Sequence, residues 1–200
     1  MHSSENTTLG LKLPTDPRWV NLAEITLQDI LSDHAYCEQK AASNCISLIQ
    51  LYPNKHELVT QLAPVVTEEW GHFRMVLAEL HKRGLPLGKQ RKDEYVNALQ
   101  SHARKGGLPN EQFLDKLLMF ALIEARSCER FRLLSENLLD EYLKKFYRQF
   151  MVAEAGHYRL FLDLATLYFP ENTVMQRWRE WLHLEKEIIA QLPLRGDRMH

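Results

Sequence analysis

The chain has 200 residues, of which 45% are hydrophobic and 26% charged, and its formal net charge is −1. This length suits one domain with a sizeable core, and the near-zero net charge excludes a protein that is basic over its whole surface. No apolar run reaches the roughly 20 residues of a membrane span, and the first residues lack the pattern of a signal peptide. The three scattered cysteines (Cys37, Cys45 and Cys128) form no Cys-x-x-Cys pair and indicate reduced thiols, so we expect a cytoplasmic protein.

Long segments with helical periodicity fill most of the chain, and none shows the alternation typical of strands. Residues 1–16 are polar, and we expect a loose tail. Asp16-Pro17 is a helix-start signal, from which the first helix runs, there or a few residues later, to about Leu51. Asn54 is the predicted cap of a second helix that stops at Gly84.

Residues 85–109, which we name the crossover segment, interrupt this pattern with three glycines and two prolines. A connection of this length can carry the chain back along a helical bundle, as the single crossover of ferritin-like folds does. The remaining predicted elements are a short helix from Asp93 to about His102, long helices at about Asn110–Leu138, Asp140–Pro170 and Thr173–Leu192, and a loose tail from Pro193.

Two copies of a Glu-x-x-His unit occur on the second and fourth long helices. They are Glu69-Trp70-Gly71-His72 and Glu154-Ala155-Gly156-His157. Residues three apart project from the same face of a helix, so the carboxylate and the imidazole of each unit can bind one ion. One such unit arises often by chance, whereas two in one chain are a specific signal.

A lone glutamate precedes each unit on an earlier helix. Glu38 lies 31 residues before Glu69, and Glu124 lies 30 residues before Glu154. Glu129 competes with Glu124 because it has an apolar stripe of its own, but only Glu124 reproduces the spacing. Four glutamates and two histidines in this order are the inward-facing ligands of a di-iron helical bundle. The sequence therefore predicts an all-α, ferritin-like four-helix bundle with one long crossover and an additional C-terminal helix, folded as one domain.

The ligand types indicate the chemistry of this site. Carboxylates are hard donors that can bridge two ions, and histidine suits ferrous iron. Six ligands shared by two ions leave coordination positions open for dioxygen. Manganese is also compatible with these ligands. His34 lies on the same apolar stripe as Glu38, and we interpret it as a core histidine. No four-cysteine electron-transfer module is present, so we expect an external electron-donor protein.

Positive charge is concentrated between residues 82 and 105, where seven basic residues meet two acidic ones. Most charge runs are solvated loops, but a basic patch also suits phosphate groups. We call this stretch the basic island, and its basic residues are Lys82, Arg83, Lys89, Arg91, Lys92, Arg104 and Lys105. Lys89, Arg91 and Lys92 are the candidates for contact with a nucleic acid.

Four segments of the chain resemble the bacterial tRNA 2-methylthio-N6-isopentenyladenosine hydroxylase family. They are Ser32–Lys40, Glu68–Phe73, Glu124–Phe131 and Glu154–Tyr158, and the resemblance extends from about Leu9 to Leu192. It implies a non-haem di-iron monooxygenase that uses dioxygen and two electrons to hydroxylate the isopentenyl group of a modified adenosine beside the tRNA anticodon. The iron ligands that it implies are Glu38, Glu69, His72, Glu124, Glu154 and His157. A tRNA substrate also strengthens the phosphate-binding interpretation of the basic island.

Two other functions remain open at this point. A ferritin-like or rubrerythrin-like protein that handles iron or peroxide would use similar ligands, and it predicts a large assembly or an attached rubredoxin module. A helical adaptor without enzymatic activity would keep the fold alone, but the complete ligand set argues against it.

Overall fold

The structure, a computed structural model, describes residues 8–104, 106 and 108–200. Predictions that concern residues 1–7 and Lys105 lie outside this part of the chain. The described residues form helices and no strand, as the periodicity predicts. In order they are a 3-10 turn at Thr8–Gly10, α1 (Arg18–Ile25), α2 (Leu27–Leu51), α3 (His56–Lys82), α4 (Glu94–His102), α5 (Pro109–Asn137), α6 (Glu141–Tyr168) and α7 (Glu171–Gln191).

Gly84 ends α3 as the sequence predicts. Its φ of 68° is in the left-handed region, which glycine adopts without a steric penalty. The N–H of Gly84 donates to the carbonyl of His81 at 2.9 Å, and that of Leu85 donates to the carbonyl of Leu80 at 2.9 Å. These two bonds form a Schellman motif, which satisfies carbonyls that the last turn leaves without helical partners.

Two predicted helix starts and the continuity of the first long helix differ from the structure. The first long helix is divided at Thr26, where the backbone (φ −107°, ψ 41°) leaves the helical region and the hydroxyl donates to the carbonyl four residues earlier. α3 begins at His56 and not after an Asn54 cap. α5 begins at Pro109, ahead of the predicted cap at Asn110, because proline is preorganised for the first helical position.

The described residues divide into two compact units. The α2–α3 unit comprises residues 21–92 and 195–199, and the α5–α6 unit comprises the described residues up to 20, 93–194 and 200. In the α2–α3 unit, the short loop at residues 52–55 folds α3 back onto α2 as a helical hairpin. Leu31 and Leu48 of α2 and Leu62 of α3 are fully buried, each worth roughly 1.5–3 kcal/mol of stability.

The α5–α6 unit contains a second helical hairpin, with α4 and α7 packed on it. Asp140 caps α6, as the sequence predicts, by accepting the N–H groups of the first turn. Aromatic side chains fill the interface between α5 and α6. The ring of Phe131 lies 5.7 Å from that of Tyr147 and 5.5 Å from that of Phe150, between ring centres.

The C-terminal residues have defined positions where the sequence predicts a loose tail. Within the α2–α3 unit, Met199 is fully buried and its backbone N–H donates to Asp33 Oδ2 at 2.8 Å. The start of the crossover segment also lies against α2, the helix that carries Asp33. The hydroxyl of Tyr36 donates to the carbonyl of Gly88 at 2.9 Å, and the N–H of Gly88 donates to Ser32 Oγ at 3.0 Å.

Asp115 joins three parts of the α5–α6 unit. This buried carboxylate of α5 accepts Nε and Nη2 of Arg177 on α7 at 2.7 and 2.9 Å, and the backbone N–H of Arg104 at 3.0 Å. Although burial opposes its ionisation, the hydrogen bonds from Arg177 and Arg104 hold the pKa of Asp115 below its ordinary value. A bidentate arginine pair of this kind fixes direction as well as distance, so α7 is held on α5 in one register.

None of the helices in the described ranges is long and apolar enough to cross a membrane.

The contacts of Asp115 make the stability of the protein depend on pH. The folded-state pKa of Asp115 is lower than its unfolded value of about 4. The ionised carboxylate therefore contributes fully to the free energy of unfolding above about pH 4, and this contribution is lost as the pH falls through the folded pKa. We expect Asp115→Asn to lower the free energy of unfolding by about 3 kcal/mol at neutral pH, and by less in acid.

Urea denaturation of both proteins between about pH 3 and pH 7 measures this difference. Glu136→Gln, at an exposed position of the same helix, is the matched control and should show no such deficit. A deficit for Asp115→Asn that stays constant as the pH falls would contradict the assignment.

Candidate metal centre

The α2–α3 unit brings together the three ligands predicted in the first half of the chain. Glu38 lies on α2, and Glu69 and His72 lie one turn apart on α3. Each offers a ligand atom within 4.8 Å of those of the other two. His72 Nδ1 is 3.4 Å from an oxygen of Glu38 and 3.4 Å from an oxygen of Glu69. Both carboxylates are buried, whereas His72 is partly exposed.

The α5–α6 unit repeats this arrangement. Glu124 lies on α5, Glu154 and His157 lie one turn apart on α6, and each again offers a ligand atom within 4.8 Å of the others. His157 Nδ1 is 3.4 Å from Glu154 Oε2, the same separation as in the first unit. All three side chains are buried. We call these two sets of three residues the first and second half-sites.

The donor atoms of each half-site fit a bound cation. Nitrogen and oxygen atoms that stand about 2.1 Å from one ion are roughly 3.0–3.4 Å apart, which is the separation found here. Two carboxylates buried a few ångströms apart cost several kcal/mol of desolvation and repulsion unless positive charge compensates them. One divalent cation per half-site supplies that charge, and two carboxylates with one imidazole suit iron or manganese.

His34 has a role that the sequence interpretation missed. Its Nε2 donates to Glu38 Oε1 at 2.6 Å, and both side chains are buried. A donor of this kind fixes the rotamer of a ligand carboxylate and leaves its other oxygen for an ion. The i, i+4 spacing of His34 and Glu38 on α2 was the available signal, since such residues meet on one helix face.

Glu129 is engaged by other groups, which favours Glu124 as the ligand. Both oxygens of Glu129 accept hydrogen bonds from Thr15, at 2.9 Å from its N–H and 2.6 Å from its hydroxyl. Arg126 pairs with Glu129 and also donates Nε to Glu185 at 2.8 Å. Arg126 and both of these carboxylates are buried, and the nearby buried Arg130 interacts electrostatically with both carboxylates, so two arginines balance two glutamates.

The buried thiol of Cys128 is hydrogen-bonded to the protein backbone. Burial, followed by the charge of Glu154, raises the pKa of Cys128 to about 12, so the thiol keeps its proton at neutral pH. It donates to the carbonyl of Met151 at 3.3 Å. The candidate ligand atoms that lie together in the second half-site are those of Glu124, Glu154 and His157, which are oxygens and a nitrogen.

The basic residues of the crossover segment differ in their surroundings. Lys89 and Lys92 are exposed. Arg91 instead forms ion pairs with Asp197 at 3.0 Å and with Asp29 at 3.3 Å. Its charge is partly neutralised within the protein, which sequence reasoning did not foresee because Asp197 is 106 residues away.

Comparison with known proteins found a matching family model and two similar relatives. A family model described as tRNA-(MS[2]IO[6]A)-hydroxylase (MiaE) matches residues 3–200. The chain is 37% identical over 190 residues to a Pseudomonas putida protein named tRNA 2-(methylsulfanyl)-N(6)-isopentenyladenosine(37) hydroxylase, a match that covers 95% of this chain and 91% of that protein. It is 27% identical over 239 residues to a Salmonella typhimurium protein of the same name, with coverage of 95% and 87%.

A solved structure is similar over nearly the whole chain. It is described as protein 43 with aldehyde deformylating oxygenase activity from Synechococcus. The TM-score is 0.89 and the sequence identity 33%, and the match covers 95% of this chain and 94% of that one. This similarity confirms the prediction of an all-α, ferritin-like fold.

Loss of a ligand should remove metal while the helices persist. We expect the purified protein to bind about two irons per chain, one for each half-site. Glu69→Ala and His157→Ala should each lower the metal content, because each removes a ligand from a half-site, whereas apolar packing keeps the fold. Metal analysis with circular dichroism measures both properties. Glu57→Ala and His183→Ala, at exposed positions, are the controls, and wild-type metal content in both ligand variants would refute the assignment.

Loss of His34 should weaken metal binding without abolishing it. His34→Ala removes the donor to Glu38, and we expect the iron affinity of the first half-site to fall by roughly 10- to 100-fold. His34→Gln keeps an N–H donor and should recover part of the loss. Competition with a chelator gives the affinities, and His81→Ala, at an exposed position, serves as the control. Equal affinities for wild type and His34→Ala would show that the histidine is only core packing.

Proposed function

Because the chain belongs to the tRNA-(MS[2]IO[6]A)-hydroxylase (MiaE) family, we propose that it is a di-iron monooxygenase that acts on tRNA. Its substrate is the isopentenyl group of 2-methylthio-N6-isopentenyladenosine beside the anticodon, and hydroxylation of that group is the reaction. The observation that supports this function best is the repeated half-site, two buried glutamates and one histidine in each helical hairpin. The six residues together are the proposed ligands of two irons.

The substrate explains why such a centre is needed. The reacting carbon is an allylic methyl, which has no acidic proton and no electrophilic centre. General acid–base and nucleophilic catalysis therefore offer no route to its hydroxylation. When bound, two irons would supply, with dioxygen and two electrons, an oxidant strong enough to remove a hydrogen atom from this carbon.

The residues of the chain hold and protect the reacting groups. The six ligands fix the ions, and His34 fixes the orientation of Glu38. In the α5–α6 unit, the rings of Phe120 and Phe161 lie 5.6 Å apart and are almost completely buried. Apolar side chains on the same helices as the ligands exclude water, and they would shield a strong oxidant from side reactions.

The electron donor, the cellular location and the RNA contacts are further parts of the same proposal. Electrons come from a separate donor protein, since the chain has only three scattered cysteines. A tRNA substrate favours the cytoplasmic location that the cysteine pattern predicts. Lys89, Arg91 and Lys92 remain the proposed contacts to RNA phosphates, and the exposed lysines suit this role better than the paired arginine.

An oxygen-labelling experiment tests the reaction. Iron-loaded protein is given a reductant, dioxygen labelled with the heavy isotope, and tRNA that carries the 2-methylthio-N6-isopentenyl group. One labelled oxygen atom should enter the nucleoside, and the other should leave as water. Mass spectrometry of the digested tRNA measures the incorporation. Glu124→Ala should not support it, because the second half-site loses a ligand.

Glu136→Ala, which changes an exposed glutamate of the same helix, is the matched control and should hydroxylate normally. Label that enters only from water would contradict the monooxygenase reaction. No oxygen added with any competent reductant would favour the ferritin-like alternative.

A further inference from the structure

Three arginines of the α2–α3 unit converge on one carboxylate, that of Asp197. Arg91 Nη1 lies 3.0 Å from Asp197 Oδ2, and Arg198 Nη1 lies 3.0 Å from the same oxygen. Arg195 binds both oxygens, with Nε at 3.0 Å from Oδ1 and Nη2 at 3.0 Å from Oδ2. We call these four residues the Asp197 cluster.

The cluster is positively charged although the whole protein is slightly acidic. Three guanidinium groups surround one carboxylate, and the hydrogen bond from Arg195, against the effect of burial, lowers the pKa of Asp197. Lys89 and Lys92 flank Arg91 in the chain and are exposed. Asp29 pairs with Arg91 at 3.3 Å and reduces the positive charge of this surface. The three arginines and the two lysines outnumber these two carboxylates.

The backbone that carries these cations is fixed by its contacts with neighbouring residues. A methyl group on Gly196 would lie 2.2 Å from the carbonyl carbon of Leu22, so only glycine allows this close approach. Met199 is anchored to Asp33, and the carbonyl of Asp29 accepts Arg91 Nη2 at 3.1 Å. The guanidinium groups are therefore held in place before a ligand binds, which lowers the entropic cost of binding.

Phosphate groups are the ligands that match such a surface. Guanidinium groups bind phosphate oxygens through paired N–H donors, and the exposed lysines add point charges. The side chain of Arg195 is 40% exposed and that of Arg91 is 29% exposed, so both are accessible to a large ligand. Several cations on one surface suit successive phosphates of a nucleic-acid backbone.

We propose that the Asp197 cluster, together with Lys89 and Lys92, is a docking surface for the phosphate backbone of the tRNA. This inference rests on the proposed function and extends it, because the sequence alone placed phosphate contacts only in the crossover segment. Arg195 and Arg198 join that segment through the fold of the C-terminal residues. Asp197 acts as the organiser that keeps three like charges together.

Binding measurements at several salt concentrations test this surface. The probe is tRNA that carries the 2-methylthio-N6-isopentenyl group. We expect Arg195→Ala to weaken binding by roughly 3- to 10-fold near 0.1 M salt, and to reduce the slope of log affinity against log salt by about one. Lys89→Ala combined with Lys92→Ala should reduce the slope by about two. Arg148→Ala, which removes an exposed cation of α6, is the matched control and should leave both quantities unchanged.

Gly196→Ala tests whether tRNA binding depends on the fixed positions of the arginines or only on the net charge of the surface. It removes no charge but displaces the backbone that carries Arg195 and Arg198, so binding should weaken while iron content and helical content stay at wild-type levels. Wild-type affinity and salt slope in Arg195→Ala and in Gly196→Ala, with a wild type that binds and hydroxylates the tRNA, would overturn the docking surface alone. A wild type that neither binds nor hydroxylates the tRNA would overturn the proposed function and this surface together.

Discussion

Four buried glutamate carboxylates are the constraint on which the rest of the structure depends. Each is at most 7% exposed, and each lies on the apolar face of a long helix. An uncompensated buried carboxylate costs several kcal/mol, and a domain of this size has a net stability of only about 5–15 kcal/mol. The combined cost of four such charges would exceed that net stability, so the fold requires compensating positive charge. A divalent cation in each half-site would meet this requirement, and it would lie inside the apolar core.

The two half-sites share their ligands but differ in the groups that support them. In the first, the buried imidazole of His34 donates to Glu38. In the second, Cys128 lies one turn after Glu124, but its thiol donates to a backbone carbonyl instead. Hydrogen bonds to a ligand carboxylate change its basicity and its orientation. The two ions would therefore occupy different environments, although the chain repeats one ligand pattern.

The sequence predicted the features that depend on local periodicity. Helices, the Gly84 stop, the Asp140 cap and the pairing of Glu with His within each unit all follow from residues a few positions apart. The spacing already favoured Glu124 over Glu129, and the tertiary structure adds a physical reason, because Thr15 and Arg126 reach Glu129 only in the folded chain.

Long-range contacts also explain the other differences. The sequence showed a basic run at residues 89–92, but the pairing of Arg91 with Asp197 joins residues 106 positions apart. No periodicity marks such a pair, and a polar C-terminal stretch resembles a loose tail unless its anchors are known. The interpretation of His34 as a core histidine agrees with its burial, but it did not include the hydrogen bond to Glu38. Its spacing from Glu38 was visible, but a histidine on an apolar stripe is more often a packing residue than a partner of a metal ligand.

Mass spectrometry of tRNA nucleosides from cells with and without this protein tests the central claim most directly. If the buried half-sites perform tRNA hydroxylation, cells that lack the protein should accumulate 2-methylthio-N6-isopentenyladenosine and contain none of its hydroxylated form. The wild-type chain should restore the hydroxylated nucleoside, and His157→Ala, which lacks a ligand of the second half-site, should not. An unchanged nucleoside profile in cells without the protein, or full restoration by His157→Ala, would contradict the claim.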